Sequence, residues 1–339
     1  MDAIVTYDLA KQYGSTWALR GLNLQVPQGS AVACVGRENS GKTTLIRLLS
    51  GLYRPTSGEC TVLGLSPAFE TERLHALVGT VLGTARLYGH LTLQENLNFF
   101  AGLHQVDSND GVERSSFLLH ALDIWEARDL KVRELPTGVL RRAALAQALM
   151  HRPSVLLLDL PPQGLDPESQ EATHRLLAQT MEQEGTTLLL CTRNMAYAQA
   201  VCGGFALLQD GVLLGKGDLE SLRRGAGLRF RAALRLKEGD PAPAGFRLGE
   251  EGLWIREIAS EEEMPQLIAQ AVQGGGSLFE ARVIRPTLAE IYEAYADGRP
   301  RKAGEQHAQH GKADTPAEPQ APAAPGAESA PAAQDEAQV

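Results

Sequence analysis

The amino-acid sequence predicts an α/β fold built around a parallel sheet, and three patterns support this prediction. A loop with two glycines at residues 36–43 lies between a short apolar strand and an apolar-periodic helix. Between residues 139 and 191, runs of consecutive apolar residues alternate with long helical patterns, as is typical of strands buried on both faces. After residue 227 the pattern changes, and a second, smaller α/β region follows.

The first part of the chain predicts short strands, the loop and a series of helices. Strands at 3–7, 18–26 and 31–35 are separated by glycine and proline. The helix after the loop has leucines three or four residues apart. The predicted elements that follow the third strand are a helix over 42–52, a strand over 78–83, helices over 92–102, 115–127 and 139–150, a strand over 155–158, a helix over 167–183 and a strand over 186–191.

The C-terminal part predicts a small α/β domain over residues 228–297 and a tail. Two serine or threonine residues stand three residues before a glutamate, which is the spacing of a helix capping box. The predicted elements are a strand over 228–236, a helix from Ser260 and Glu263 to about 273, a strand over 278–284, and a helix from Thr287 and Glu290 to about 296. Residues 303–339 are rich in alanine, proline and acidic residues, and we expect a disordered tail.

Composition excludes several function classes. The chain has 339 residues, a net charge of -9 and 43% hydrophobic residues, so we expect mostly folded, soluble protein. No segment approaches the roughly 18 apolar residues of a membrane span. The acidic balance, more than half of it in the tail, argues against a dedicated nucleic-acid binder. The four cysteines form no CxxC pair, so free thiols are expected.

The loop at residues 36–43 matches the pattern G-x-x-x-x-G-K-[ST], which predicts phosphate binding. Glycines allow backbone N–H groups to converge on phosphate oxygens, and the helix N-terminus adds partial positive charge. Lys42 would reach the outer phosphates, and Thr43 would bind Mg²⁺. A second element agrees with this prediction, because the strand over 155–158 ends in Asp159, a carboxylate suited to hold Mg²⁺.

The order and spacing of these motifs resemble the ATP-binding subunit of an ABC transporter, from residue 2 to about 297. The resemblance implies a P-loop NTPase fold with antiparallel β and α-helical subdomains: a nucleotide-binding domain over 1–225, a helical subdomain over about 84–150, and the accessory domain over 228–297. It also implies Mg-ATP as ligand. The residues implied to bind nucleotide are Tyr13, Gly36, Asn39, Ser40, Gly41, Lys42, Thr43, Thr44, Asp159, Asp166 and Gly138, with Thr43 and Asp159 as metal ligands and Tyr13 stacking on adenine.

Partners and location follow from the same resemblance. It implies a homodimer or a heterodimer with another such subunit, a separate integral membrane permease, and a cytoplasmic position at the inner face of the membrane. Residues 285–292 resemble the extension of subunits that drive type-2 exporters. The permease is expected to contact the segment over 83–98, with Leu87 and Tyr88 as candidate contacts, although core packing is an alternative for both.

The catalytic set of the family is broken at five positions. Leu160 stands where the family has the glutamate that orients the attacking water, and Gly83 stands at the expected glutamine. In the signature segment, Pro136 and Thr137 replace serine and glycine, whereas Gly138 remains. Arg193 replaces the switch histidine, and it can donate to a phosphate but cannot act as a neutral imidazole.

These replacements predict a subunit that binds ATP but hydrolyses it weakly or not at all. In this family each ATP lies between the phosphate loop of one subunit and the signature of the other, so no pairing restores a complete site. Two alternatives stay open: an ordinary transport ATPase with compensating residues, and a regulatory ATP-sensing module that is not coupled to transport.

Overall fold

The computed structural model describes residues 1–83, 87–159 and 167–298. Leu160, Asp166 and the predicted tail lie outside the described residues. The strands are β1 (Asp2–Tyr13), β2 (Thr16–Leu22), β3 (Gln25–Pro27), β4 (Ala31–Val35), β5 (Ser57–Val62), β6 (Val78–Leu82), β7 (Val155–Asp159), β8 (Thr187–Thr192), β9 (Gly204–Gln209), β10 (Val212–Asp218), β11 (Phe230–Leu236), β12 (Arg247–Leu248), β13 (Trp254–Ile258) and β14 (Leu278–Ile284).

The α-helices alternate with these strands along most of the chain. They are α1 (Lys42–Leu49), α2 (Thr71–His75), α3 (Leu93–Leu103), α4 (Ser108–Ala121), α5 (Thr137–Leu149), α6 (Pro167–Glu184), α7 (Met195–Val201), α8 (Leu219–Gly225), α9 (Met264–Gln273) and α10 (Leu288–Ala296). No helix within the described ranges is long and apolar enough to cross a bilayer.

The predicted parallel sheet is present and confirms the α/β fold. Its strand order is β10-β9-β4-β8-β7-β6, with β10 antiparallel at one edge and the other five strands parallel. Val35 lies opposite Thr192, and Asp159 lies opposite Cys191. The carboxyl ends of β4, β8 and β7 therefore meet at one edge of the sheet, where ligands of such folds usually bind.

Two antiparallel sheets complete the described part of the chain. In the N-terminal sheet β1 pairs with β2, β3 and β5, and in the C-terminal sheet the order is β12-β13-β11-β14. One face of the central sheet packs with α1 and the N-terminal sheet, through residues such as Leu45 and Leu157. The other face packs with the helices that include α3 to α7, through residues such as Leu97 and Leu158.

The last helix belongs to the core of the central sheet. The C-terminal sheet has its own apolar cluster with α9, around Leu234 and Leu267. By contrast, Leu288, Ile291 and Tyr292 of α10 are fully buried in the same cluster as the central sheet. The predicted accessory region over 228–297 therefore contributes one helix to the layer that supports the phosphate loop.

Several element boundaries differ from the sequence prediction for local reasons. The helix predicted over 115–127 begins earlier, at Ser108, because the Asp107 side chain accepts a hydrogen bond from the backbone N–H of Asn109. It ends at Ala121, and a 3₁₀ turn over Trp125–Ala127 follows Asp123, whose φ is 52°. Both predicted capping boxes are present, at Ser260 before a 3₁₀ turn that leads into α9, and at Thr287 before α10. The four cysteines are free and buried.

A buried ion pair joins the helical layer to α6. Arg114 on α4 has a side chain only 4% exposed, and it donates two hydrogen bonds to the carboxylate of Glu184. The same guanidinium donates two more to the Leu149 carbonyl at the end of α5. Because all four of these hydrogen bonds are made between elements, they fix α4, α5 and α6 relative to one another.

A groove of about 610 Å³ lies between α2, β6 and α5 and contains three histidines. The rings of His104 and His151 are stacked, with centroids 3.9 Å apart, and His75 lines the same groove. Neither ring nitrogen of His151 has a hydrogen-bond partner among the described residues. Burial lowers the pKa of His151 to about 4, and the neighbouring His104 adds to this effect.

We expect the stability of the protein to fall in mild acid because of His151. Its pKa is near 6.5 in the unfolded chain and about 4 in the fold, so the unfolded state binds more protons between these values. The free energy of unfolding should therefore fall by about 2 kcal/mol from pH 7.5 to pH 5 through this residue. Urea unfolding of His151→Leu should show a correspondingly smaller loss over this range.

The exposed His90 offers a matched control for this measurement. His90→Gln should keep the pH dependence of the parent chain. Equal losses of stability in the parent and in His151→Leu would show that His151 does not titrate as the structure predicts.

Candidate nucleotide-binding site

The phosphate loop joins β4 to α1 at the edge where the carboxyl ends of the parallel strands meet. Two glycines give the loop its path. At Gly36 a Cβ would lie 2.1 Å from the Leu208 carbonyl oxygen, and at Gly41, where φ is 101°, it would lie 2.4 Å from the Ala18 carbonyl oxygen. Any larger residue at either position would therefore displace the backbone.

Lys42 is the central cation of the site. Its side chain turns back into the loop, and Nζ donates to the carbonyls of Gly36 (2.9 Å) and Arg37 (2.7 Å) and to Oγ of Ser40 (2.8 Å). The residue is only 8% exposed. Burial lowers the pKa of Lys42, whereas Asp159 and two nearby cysteines oppose this effect. Three oxygen acceptors thus match the three donors of the ammonium group.

The predicted metal ligands lie side by side. Oγ1 of Thr43, in the first turn of α1, donates to Oδ2 of Asp159 at a distance of 2.6 Å. A hydroxyl and a carboxylate are hard oxygen ligands, which Mg²⁺ prefers together with phosphate oxygens and water. The described residues contain no cluster of three or more histidine, cysteine or carboxylate side chains placed to hold a metal.

An open cleft of about 330 Å³ lies beside the loop. Tyr13, 41% exposed, is on its wall, and its ring makes an edge contact with Tyr53 at a centroid distance of 6.0 Å. The predicted residues on the cleft are Tyr13, Asn39, Ser40, Gly41, Lys42, Thr43 and Thr44, joined by Thr16, Trp17 and Ala18. The exposed aromatic side chain on this wall is suited to stack on a flat nucleobase.

Trp17 was missed by the sequence analysis. It is 38% exposed on β2 and lies opposite Gln12 of β1, one position beyond the Tyr13–Thr16 pair. The sequence contained a pattern that could have identified it, because the aromatic residues Tyr13 and Trp17 stand on either side of the turn at Gly14, where φ is 56°. A hairpin at this point brings both rings to the cleft.

The remaining predicted residues lie on other elements. Gly138 is in the first turn of α5, and it is not among the described residues that line the cleft. Pro136 is the N-cap residue of this helix and makes no side-chain capping hydrogen bond. Gly83 follows β6, the strand next to β7, and a Cβ there would meet no atom within 4 Å. Leu160 and Asp166 are outside the described residues.

Arg193 lies at the same edge as the loop. It follows β8, and its Nη1 is 3.2 Å from Oε2 of Glu38 in the phosphate loop. Two flanking hydrogen bonds hold the backbone here, because Asn194 N–H donates to Oγ1 of Thr192 and the Asn194 side chain caps α7. Arg193 was expected from the sequence to donate to a phosphate, whereas its pairing with Glu38 was not expected.

The last helix contacts the loop directly. The hydroxyl of Tyr292 accepts a hydrogen bond from the backbone N–H of Arg37 (3.3 Å) and donates one to the Leu208 carbonyl (3.2 Å). The Arg37 guanidinium pairs with Glu293 on the same helix. The loop is thus held by α1 on one side and by α10 on the other.

Comparisons with known proteins agree with this geometry. The sequence model of the ABC transporter family matches residues 19–163. The daunorubicin resistance ATP-binding protein DrrA3 of Streptomyces coeruleorubidus is 32% identical over 302 residues, which are 86% of this chain and 95% of that protein. The chain belongs to the ABC transporter family. As a member it is an ATP-binding subunit of a transporter. Subunits of this class bind ATP, typically with Mg²⁺. They dimerise and work with membrane permeases.

A further relative and a solved structure support the membership of this chain in the ABC transporter family. The bacitracin transport ATP-binding protein BcrA of Enterococcus faecalis is 28% identical over 221 residues, which are 65% of this chain and 71% of that protein. A solved structure of an ATP-binding subunit of an ABC transporter superposes with a TM-score of 0.62 at 27% identity, covering 67% of this chain and 94% of that one.

We expect Tyr292→Phe to weaken the site without removing it. The substitution leaves the Arg37 N–H and the Leu208 carbonyl without this partner, which should lower the free energy of unfolding by about 2 kcal/mol. Because the loop then loses one support, affinity for Mg-ATP should fall about two- to fivefold. Urea unfolding and titration calorimetry on the full chain measure the two effects.

Tyr7→Phe is the control, because Tyr7 is 64% exposed. It should change neither quantity. A Tyr292→Phe variant that matches this control in both measurements would show that α10 does not support the loop.

Proposed function

We propose that this chain binds Mg-ATP at the loop of residues 36–43, dimerises, and drives or regulates a separate membrane permease, with impaired hydrolysis. The observation that carries the proposal is the paired arrangement of Lys42 in its oxygen cradle and Thr43 beside Asp159. Such a site places a cation and a Mg²⁺ position together at a helix N-terminus, which suits a nucleotide triphosphate.

Each residue of the site has a proposed role. Tyr13 stacks on the adenine, the loop amides and Lys42 bind the phosphates, and Thr43 with Asp159 holds Mg²⁺. The loop residues in this role are Gly36, Asn39, Ser40, Gly41, Lys42, Thr43 and Thr44. From the opposing subunit, Gly138 approaches the terminal phosphate and Asp166 lies at the subunit contact.

Slow hydrolysis follows from the side chains at the catalytic positions. Leu160 cannot accept a proton or orient water, and Gly83 has no side chain to do so. Loss of a general base alone lowers rates by a factor on the order of 10² to 10⁴. Arg193 keeps a positive charge near the phosphates, which favours binding over turnover.

The signature segment supports the same proposal. A serine at the N-cap of α5 would offer a hydroxyl to the terminal phosphate of the opposing subunit. Pro136 at this position offers neither hydroxyl nor N–H, and no side chain caps the helix. The helix N-terminus still contributes partial positive charge, so the dimer closes on ATP with weaker stabilisation of the reacting phosphate.

We infer that the transporter is an exporter and that this subunit lies in the cytoplasm at the inner face of the membrane. DrrA3 is named for daunorubicin resistance and BcrA for bacitracin transport. Residues 285–292 also resemble the extension of subunits that drive type-2 exporters. The proposed domains are a nucleotide-binding domain over 1–225, with a helical subdomain over about 84–150, and an accessory domain over 228–297, whereas the predicted tail over 303–339 lies outside the described residues.

The permease contact is proposed near the start of α3. Tyr88 is 44% exposed, and its ring meets Phe99 at 5.1 Å and stacks on Phe100 at 6.0 Å. Leu87, in contrast, packs against the core cluster of the central sheet. An exposed aromatic cluster of this kind is typical of protein contacts, so Tyr88 is the stronger candidate of the two.

ATP binding and turnover by the purified full chain test this proposal. We expect Mg-ATP to bind, Lys42→Ala to abolish binding, and turnover to lie at least a hundredfold below that of an intact relative. Leu160→Glu combined with Arg193→His should raise the rate, because it restores a base and a neutral imidazole.

The alternatives make different predictions for ATP turnover and for export. An ordinary transport ATPase with compensating residues would hydrolyse ATP at a normal rate, and the double substitution would leave that rate unchanged. A regulatory module would bind ATP and dimerise, but Lys42→Ala would not affect export. Absence of ATP binding in the parent chain would contradict all three.

A further inference from the structure

The phosphate loop carries a carboxylate, Glu38, that pairs with Arg193 at the sheet edge. Glu38 is 74% exposed, and its partner Arg193 is 38% exposed, with 3.2 Å between Oε2 and Nη1. An exposed ion pair of this geometry adds little to stability, commonly under about 1 kcal/mol. Both side chains are therefore free to exchange partners when a stronger one is present.

The strand register shows what lies next to this pair. Val35 is opposite Thr192, so Arg193 continues beyond β8 beside the first residue of the loop. On the other side of β8, Asp159 ends β7 and holds Thr43. Arg193 is thus at the same sheet edge as the loop and Asp159, and we expect the outermost phosphate of a nucleotide bound there with Mg²⁺ to lie at this edge.

Two cations of the site, Arg193 and Lys42, lie at the same sheet edge, one after β8 and the other at the start of α1. Lys42 donates to loop oxygens, whereas Arg193 pairs with Glu38. Glu38 is the carboxylate that neutralises the outer cation. Arg193 is therefore already paired with a carboxylate when a phosphate binds.

We propose that Glu38 is a specificity-determining residue that competes with the third phosphate of ATP for Arg193. The proposal rests on nucleotide binding as proposed above. A terminal phosphate carries about two negative charges and accepts bidentate hydrogen bonds, so it displaces the single exposed carboxylate. A diphosphate ends short of Arg193, which then stays with Glu38. The preference for ATP over ADP is therefore set by how much more strongly Arg193 binds the third phosphate than it binds Glu38.

Four full-length proteins test the competition: the parent, Glu38→Gln, Arg193→Gln and the double variant. Calorimetry measures their affinities for Mg-ADP and for the Mg²⁺ complex of the non-hydrolysable β,γ-imido analogue of ATP. Arg193→Gln should lower affinity for the triphosphate about tenfold and for ADP less than twofold. Glu38→Gln should raise the ratio of triphosphate to ADP affinity about threefold.

The double variant isolates the coupling between the two residues. With Gln at position 193, Glu38→Gln should leave the ratio unchanged, because there is no cation left to release. General repulsion between Glu38 and phosphates affects both nucleotides and largely cancels in the ratio. Arg193→Lys, which keeps the charge but loses the planar fork, should give an intermediate ratio and also serves if Arg193→Gln is unstable.

Glu261→Gln is the matched control, because it removes another exposed glutamate–arginine pair, with Arg285, far along the chain in the C-terminal region. Its ratio should equal that of the parent. An equal effect of Glu38→Gln with or without Arg193, or equal losses for both nucleotides in Arg193→Gln, would overturn the competition while leaving nucleotide binding intact. A parent chain that binds neither nucleotide would overturn the proposed function and this inference with it.

Discussion

The ammonium group of Lys42 is the interaction on which the site depends. A buried cation is unfavourable unless oxygen atoms surround it, and here two loop carbonyls and a hydroxyl do so at hydrogen-bond distance. These carbonyls point inward only because the backbone follows a path that Gly36 and Gly41 permit. The loop is therefore held in shape around its own cation, so ordering it on ligand binding requires little further loss of chain entropy.

The loop residue Arg37 is also held by the last helix of the described chain, α10. The carbonyl of Arg37 binds Lys42, whereas its N–H binds the hydroxyl of Tyr292 on α10. The two contacts are thus made by the two peptide groups that flank one residue, Arg37. The apolar packing of α10 makes this support rigid, because Leu288, Ile291 and Tyr292 are fully buried against the central sheet.

Local patterns predicted the features that depend on neighbouring residues. The phosphate loop and the capping boxes at Ser260 and Thr287 were visible in the sequence, since each rests on spacing within a few residues. The parallel sheet was visible in the alternation of apolar runs with helical patterns. The contacts that were not predicted join distant segments. Tyr292 is 255 residues from Arg37, and no periodicity reports which helix end will face which loop. The pairing of Glu38 with Arg193 was missed for the same reason, because it follows from strand order.

The position of α10 at the far end of the folded region has a consequence for synthesis of the protein on the ribosome. Chains emerge from the N-terminus at roughly 5–20 residues per second, so the 255 residues between Arg37 and Tyr292 correspond to about 10 to 50 s of translation. During that interval the nascent nucleotide-binding region lacks one support of its loop and one helix of its core. The last described element to be synthesised, α10, thus completes the support of a loop that is made among the first.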